Sequence, residues 1–117
     1  EYHTSLDDLT LVTPKGLEGG FLALKTAVDV IESNCFPRVT VLGEPQLGKR
    51  GLYPNISIKG SANNIKVMMD LISYSDGSLS LLDIADLIDV PMIELTSLVS
   101  LLVEHNLLEL SPLLDGV

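Results

Sequence analysis

Three short apolar stripes at helical spacing, separated by firm stop signals, fill the last half of this chain and leave few folds open to it. Ile65, Met68, Met69 and Ile72 recur so as to share one side of a helix. Leu81, Ile84, Ala85 and Ile88 do the same, and so do Leu95, Leu98, Val99 and Leu102. Asp76-Gly77 is a turn dipeptide between the first two stripes. Ser80, with Asp83 three residues on, resembles a capping box in which Asp replaces Glu. Asp89-Val90-Pro91 stops one helix and restarts another, with proline near a first helical position, where its missing N–H does no harm. Asn106 suits a left-handed cap, and Leu107 to Leu110 reads as a short strand that Pro112 ends.

Three helices, a tight turn between the second and third, and a strand after the third describe a winged helix or a close relative. Ala85 is small where two helices must cross closely. The alternative is a generic three-helix unit without the turn geometry.

Charge separates this half from the rest. The net charge is −9, and all seven Lys and Arg lie between Lys15 and Lys66. Val67 to Val117 holds nine carboxylates and no Lys or Arg. Phosphate contacts supply most non-specific affinity for nucleic acid and need cations. The third helix of such a module is where reading residues sit, and Pro91 to Asn106 offers only Glu94, Thr96, Ser97, Ser100, Glu104, His105 and Asn106 as polar groups. Without Arg or Lys it cannot make the common guanine contact. Nucleic-acid binding, and with it a transcriptional role, is disfavoured, and packing against protein is expected. His105 has a capping role at that helix's end.

The first half reads differently. Residues 1–13 form a loop, and Thr13-Pro14 is a helix start. Leu17, Phe21, Leu24, Val28 and Ile31 make one apolar face of a helix that ends near Ser33-Asn34. Phe36-Pro37 breaks the pattern, and Val39 to Leu42 is β-prone. Gly43 to Pro54 is an ordered loop, and Asn55 to Gly60 a linker with a short strand at Ile56 to Ile58. Asn55-Ile56-Ser57 is a glycosylation sequon by spelling only. With 46% hydrophobic residues over 117 positions, the chain is one ordinary domain or two very small units. No apolar run reaches bilayer length, so no membrane span is expected. Cys35 is the one cysteine, a small buried or half-buried residue, which fits a reduced, cytoplasmic setting. No signal peptide is visible, and the start at Glu1 without Met reads as a segment of a longer chain.

Two motifs invite chemistry. Gly43-Glu44-Pro45-Gln46-Leu47-Gly48-Lys49 matches the first part of a phosphate-binding loop. The next residues, Arg50 and Gly51, supply no Ser or Thr for magnesium and start no helix, so nucleotide binding is rejected. Lys49-Arg50 remains the one basic pair. It either clamps a carboxylate of a substrate or partner or makes a salt bridge between the two halves, and the salt bridge is preferred. His3 alone cannot make a metal site, which takes three or four ligands.

Tyr2-His3-Thr4-Ser5-Leu6-Asp7-Asp8 resembles the last metal-ligand motif of the two-zinc aminopeptidase family, in which Tyr/Phe-His-Thr-x-x-Asp precedes a long helix. The string Glu44-Pro45-Gln46-Leu47-Gly48-Lys49-Arg50-Gly51-Leu52-Tyr53-Pro54 is similar to a more distinctive signature of a bacterial aminopeptidase-like subfamily that ends in a winged helix. The resemblance implies that His3 is the final zinc ligand and that Asp7 fixes the loop. It leaves Lys49, Arg50 and Tyr53 as substrate or interdomain contacts. The other ligands and the glutamate base of that family are absent here, so the chain alone should be inactive.

The implied organisation has two parts. Residues 1–58 are the C-terminal edge of an α/β zinc-aminopeptidase-like domain, and residues 59–117 are a mostly α winged helix with a short β wing. The parent would act on a peptide or an N-acylated small molecule. The winged helix would dock on the rest of the parent or on a partner. The alternative is a non-catalytic interaction module on a peptidase-like scaffold, forming a homo-oligomer through the third helix.

Overall fold

The computed structural model describes residues 3–43, 45–52 and 61–113, with side chains omitted for residues 61–63. Contacts divide the chain into two units, Glu1–Glu32 and Ser33–Val117. The predicted linker and strand at residues 55–60 lie outside the described residues, as do Tyr2, Glu44 and Tyr53.

In the first unit, residues 3–13 make turns and α1 runs Pro14–Ser33. Thr13 caps it as expected: its hydroxyl oxygen accepts the Gly16 N–H at 3.1 Å, and its carbonyl accepts the Leu17 N–H at 3.0 Å. No residue of α1 is buried, and Leu17, Phe21, Leu24, Val28 and Ile31 are all exposed. Among the described residues before residue 33 there is no strand.

The second unit is a helical module closed by a small sheet. Its order is β1 (Cys35–Val39), a 3-10 turn (Leu47–Arg50), α2 (Ser61–Tyr74), α3 (Leu81–Leu87), α4 (Met92–Glu104) and β2 (Leu108–Pro112). β1 pairs antiparallel with β2, Cys35 opposite Pro112 and Val39 opposite Leu108. This differs from the sequence reading, which broke the chain at Phe36-Pro37 and set the strand at residues 39–42. The pairing explains the difference. Thr40 donates its N–H to Leu107 O at 3.1 Å, so alternate residues 36, 38 and 40 turn their amides toward β2. Pro37 falls on the other set, where no ladder donor toward β2 is required. Val39, in the same set, donates its N–H outward to Ser75 O at 2.7 Å. The sequence reading joined its two parts at residues 58–59, whereas β1 lies with the helical module because its partner strand comes some 70 residues later.

The three stripes build the core. Met68, Leu71 and Ile72 of α2 are buried, with Leu81, Ile84 and Ala85 of α3, Leu95, Val99 and Leu102 of α4, and Leu107 and Leu108 beyond it. Ile65, Met69, Ile88 and Leu98 are only half-buried, and Leu71 takes the central place that the α2 stripe had not assigned to it.

The stops work as their chemistry requires. Asp76 Oδ1 accepts the Ser78 N–H at 2.7 Å, and Gly77 sits at φ 87°, a backbone state that glycine tolerates. After α3, Asp89 is left-handed at φ 54°, with its N–H on Asp86 O and the Val90 N–H on Ala85 O. After α4, Asn106 is left-handed at φ 53°, with its N–H on Val103 O and the Leu107 N–H on Leu102 O. Both ends are Schellman motifs, and each satisfies two carbonyls that the helix leaves open.

The capping box at α3 is complete. Ser80 Oγ accepts the Asp83 N–H at 3.2 Å, and Asp83 Oδ2 accepts the Ser80 N–H at 3.1 Å and the Ser80 hydroxyl at 2.6 Å. The Ser80 hydroxyl, then its amide, hold the Asp83 carboxyl below the usual carboxylate range. A carboxylate with a depressed folded pKa contributes stability that is fully present above the unfolded value of about 4. That contribution is lost as pH falls through the lower folded value. Urea midpoints measured across that acid window should fall less steeply for Asp83→Asn than for the unaltered chain, and equal slopes would remove this role.

Candidate interaction face and histidine motif

α4 carries no cation, and two of its three hydroxyls bond the helix's own backbone. Thr96 Oγ1 donates to Ile93 O at 2.8 Å, and Ser100 Oγ donates to Thr96 O at 3.0 Å. Two of the polar groups placed where a reading helix would meet bases therefore already have backbone partners. Between α2 and α4 lies a cavity of about 490 Å³ whose lining includes Val67, Val90, Leu98 and Leu101, with Glu94 on α4 and His105 just past its end.

Residues Leu47–Arg50 form a 3-10 turn that Gly51 ends at φ 69°, and Leu47 and Leu52 are buried. Arg50 Nη1 donates to His105 O at the C-terminal end of α4. Thr40 Oγ1 donates to the next carbonyl, Asn106 O, at 2.7 Å. An arginine at a helix C-terminus satisfies an open carbonyl and suits the dipole there. Arg50 thus joins the two segments through a backbone carbonyl 55 residues away, where the preferred sequence reading expected a salt bridge between them. The ion pairs Lys25–Asp29 and Lys66–Asp70 each lie within one helix. Lys49 is exposed, and Tyr53 lies outside the described residues. His105 is the α4 C-cap residue, as its position suggested.

His3 is exposed and left-handed at φ 60°. The turn after it is tied locally: Thr4 Oγ1 accepts the Leu6 N–H at 3.2 Å, and Thr4 O accepts the Asp7 N–H at 3.1 Å. Asp8 supplies a carboxylate that fixes this loop, accepting the Thr10 hydroxyl at 2.7 Å and the Thr10 N–H at 2.8 Å. Those two bonds hold its carboxyl below the usual range. Among the described residues no set of three or more His, Cys, Asp or Glu side chains gathers into a metal-binding group. His3 offers one imidazole, and a zinc ion takes three or four donors, so the described residues could provide only part of a site.

Sequence reasoning missed Asn34, whose Oδ1 accepts the N–H groups of Cys35 and Leu82 and so satisfies an open amide in the first turn of α3. No local signal marks it, because Leu82 is 48 residues away. Cys35 is buried, and burial raises its thiol pKa, which makes it a poor nucleophile at neutral pH.

Three interlocked helices, a left-handed turn between the last two and a two-stranded sheet define a winged helix. Residues 35–110 match the family model described as winged helix-turn-helix, and the chain belongs to that family. The chain is also 36% identical, over 89 residues, to a Clostridium acetobutylicum protein provisionally named a polysaccharide biosynthesis protein with an aminopeptidase-like domain. That match covers 72% of this chain but 20% of the relative, so the chain spans about a fifth of the relative's length. No solved structure matches the chain. No helix among the described residues is long and apolar enough to cross a membrane.

Proposed function

We propose that this chain is the C-terminal part of a bacterial zinc-dependent aminopeptidase-like protein, in which the winged helix docks on protein and does not read nucleic acid. The observation that carries the first half is the 36% match to a relative whose name includes an aminopeptidase-like domain. It covers more of the chain than the winged-helix segment alone. The His3-Thr4 motif ahead of α1 supports the same reading, with His3 as one zinc ligand and the remaining ligands and base in the rest of the parent. When bound, zinc would polarise a peptide carbonyl and acidify a water. The exposed apolar face of α1 is the kind of surface that the body of a larger domain covers. Substrates would be peptides or N-acylated small molecules. The buried lone thiol of Cys35 fits a reduced, cytoplasmic setting.

The second half rests on α4, which has no Lys or Arg and two hydroxyls turned back on its own backbone. Heparin chromatography of the full protein at low salt tests it. Passage without retention is expected, and firm retention would sink the docking reading.

A non-catalytic scaffold is the second reading. The Arg50–His105 bond supports it, since there a residue suited to gripping substrate donates to a backbone carbonyl. Hydrolysis of an aminoacyl p-nitroanilide by the full protein separates the two: turnover supports the peptidase, and none supports the scaffold.

A further inference from the structure

We propose that the pocket beside the Leu47–Arg50 turn binds the carboxylate of an N-acylated amino acid, with Lys49 as the group that recognises it and Arg50 as the group that holds the turn. The choice of molecule rests on the reading of the parent as acting on peptides or N-acylated small molecules. The pocket has a volume of about 440 Å³ and is lined by Val41, Pro45, Gln46, Lys49 and Arg50. That is a size at which small molecules bind. Among the described lining residues two are cations and none is a carboxylate, in a chain of net charge −9. Val41 and Pro45 give the pocket an apolar wall beside its charge. An anion with an apolar body suits such a lining.

The two cations divide the work. Arg50 Nη1 donates to His105 O, and Leu47 and Leu52 are buried on either side of the pair. The amides of Leu47, Lys49, Gly51 and Leu52 bond carbonyls of the same segment at 2.8 to 3.2 Å. The backbone under Lys49 is therefore fixed by its neighbours. Its side chain is exposed and has no hydrogen bond or ion pair with a described residue. Lys25 and Lys66, by contrast, each meet an aspartate one helical turn on. A cation held on a fixed turn loses little freedom when it meets a ligand. The anion is a carboxylate because a phosphate gathers several backbone N–H groups, and four in this segment are already used. A carboxylate is served by the Lys49 ammonium with the exposed Gln46 amide beside it.

The test is isothermal titration calorimetry of the full protein with N-acetyl-leucine and with its uncharged amide. Saturable binding of the acid is expected, with the amide weaker by about tenfold or more. Lys49→Ala should weaken the acid by about tenfold or more and leave the urea midpoint in place. Lys15→Ala removes the same charge outside the pocket and should alter binding by no more than about twofold. No binding of the acid, equal binding of acid and amide, or full binding by Lys49→Ala would overturn the proposal. So would tighter binding of inorganic phosphate. A midpoint that falls in Lys49→Ala, or affinity that rises about tenfold in Glu44→Gln, would mean that a carboxylate of the protein itself pairs with Lys49, and would overturn it too. His3→Ala should keep the Lys49-dependent binding, and its loss there would put the ligand at the metal instead. Failure of this site in a protein that still binds zinc and turns over substrate removes this inference alone. Binding through Lys49 in a protein with neither zinc nor turnover removes the peptidase reading and leaves the carboxylate site.

Discussion

Leu102→Ala is expected to lower the unfolding free energy by about 2–5 kcal/mol, the largest effect of any single truncation considered. Leu102 is wholly buried, on the inner face of α4. Its carbonyl also receives the Leu107 N–H at 2.8 Å, which turns the chain out of the helix toward β2, and Leu107 is equally buried. Truncation removes apolar area and leaves a cavity between elements pinned at both ends, so collapse is limited. Leu101→Ala, next to it but half-buried, should cost clearly less. Urea unfolding reads both, with the midpoint falling and the m-value unchanged. A loss below about 1 kcal/mol for Leu102→Ala would contradict the core described here.

Arg50→Ala should cost about 1.5–3 kcal/mol, the range for hydrogen bonds that involve a charged group. Its guanidinium is half-buried and donates to His105 O, and truncation opens a helix-end carbonyl as well as removing the bond. Lys49→Ala, beside it and exposed, should stay within about 0.5 kcal/mol. The contrast between neighbours is diagnostic. If the pair were a clamp for a ligand, both variants would leave stability alone and both would lower affinity. Denaturant titration of the two variants decides it, and equal midpoints would return Arg50 to the ligand-facing role.

Signals that act over a few residues were legible in the sequence. The Thr13 cap, the Ser80–Asp83 box, the Asp76-Gly77 turn and the left-handed Asn106 each depend on groups within about four positions, and each appears in the structure. The helical stripes were legible because periodicity is local too, although Leu71 shows that a stripe does not fix which member lies deepest. Pairings made over distance were not legible. Cys35–Val39 becomes a strand because Leu108–Pro112 offers it a ladder, and a proline with its nitrogen on the unpaired side is no obstacle there. The basic pair was noticed, but Arg50's partner is a carbonyl 55 residues on, which no spacing rule can name. His3 is legible only through resemblance: one exposed imidazole in a turn carries no geometry of its own that specifies a metal.

The most direct test of the central claim, that this chain completes a zinc-dependent aminopeptidase-like protein, is metal analysis of the full protein beside its His3→Ala variant. The account predicts about two zinc ions per chain in the unaltered protein and the loss of at least one in the variant. Full protein that binds no zinc, or a variant that keeps all of it, would contradict the assignment of His3 as a ligand and leave the winged helix on a non-catalytic scaffold.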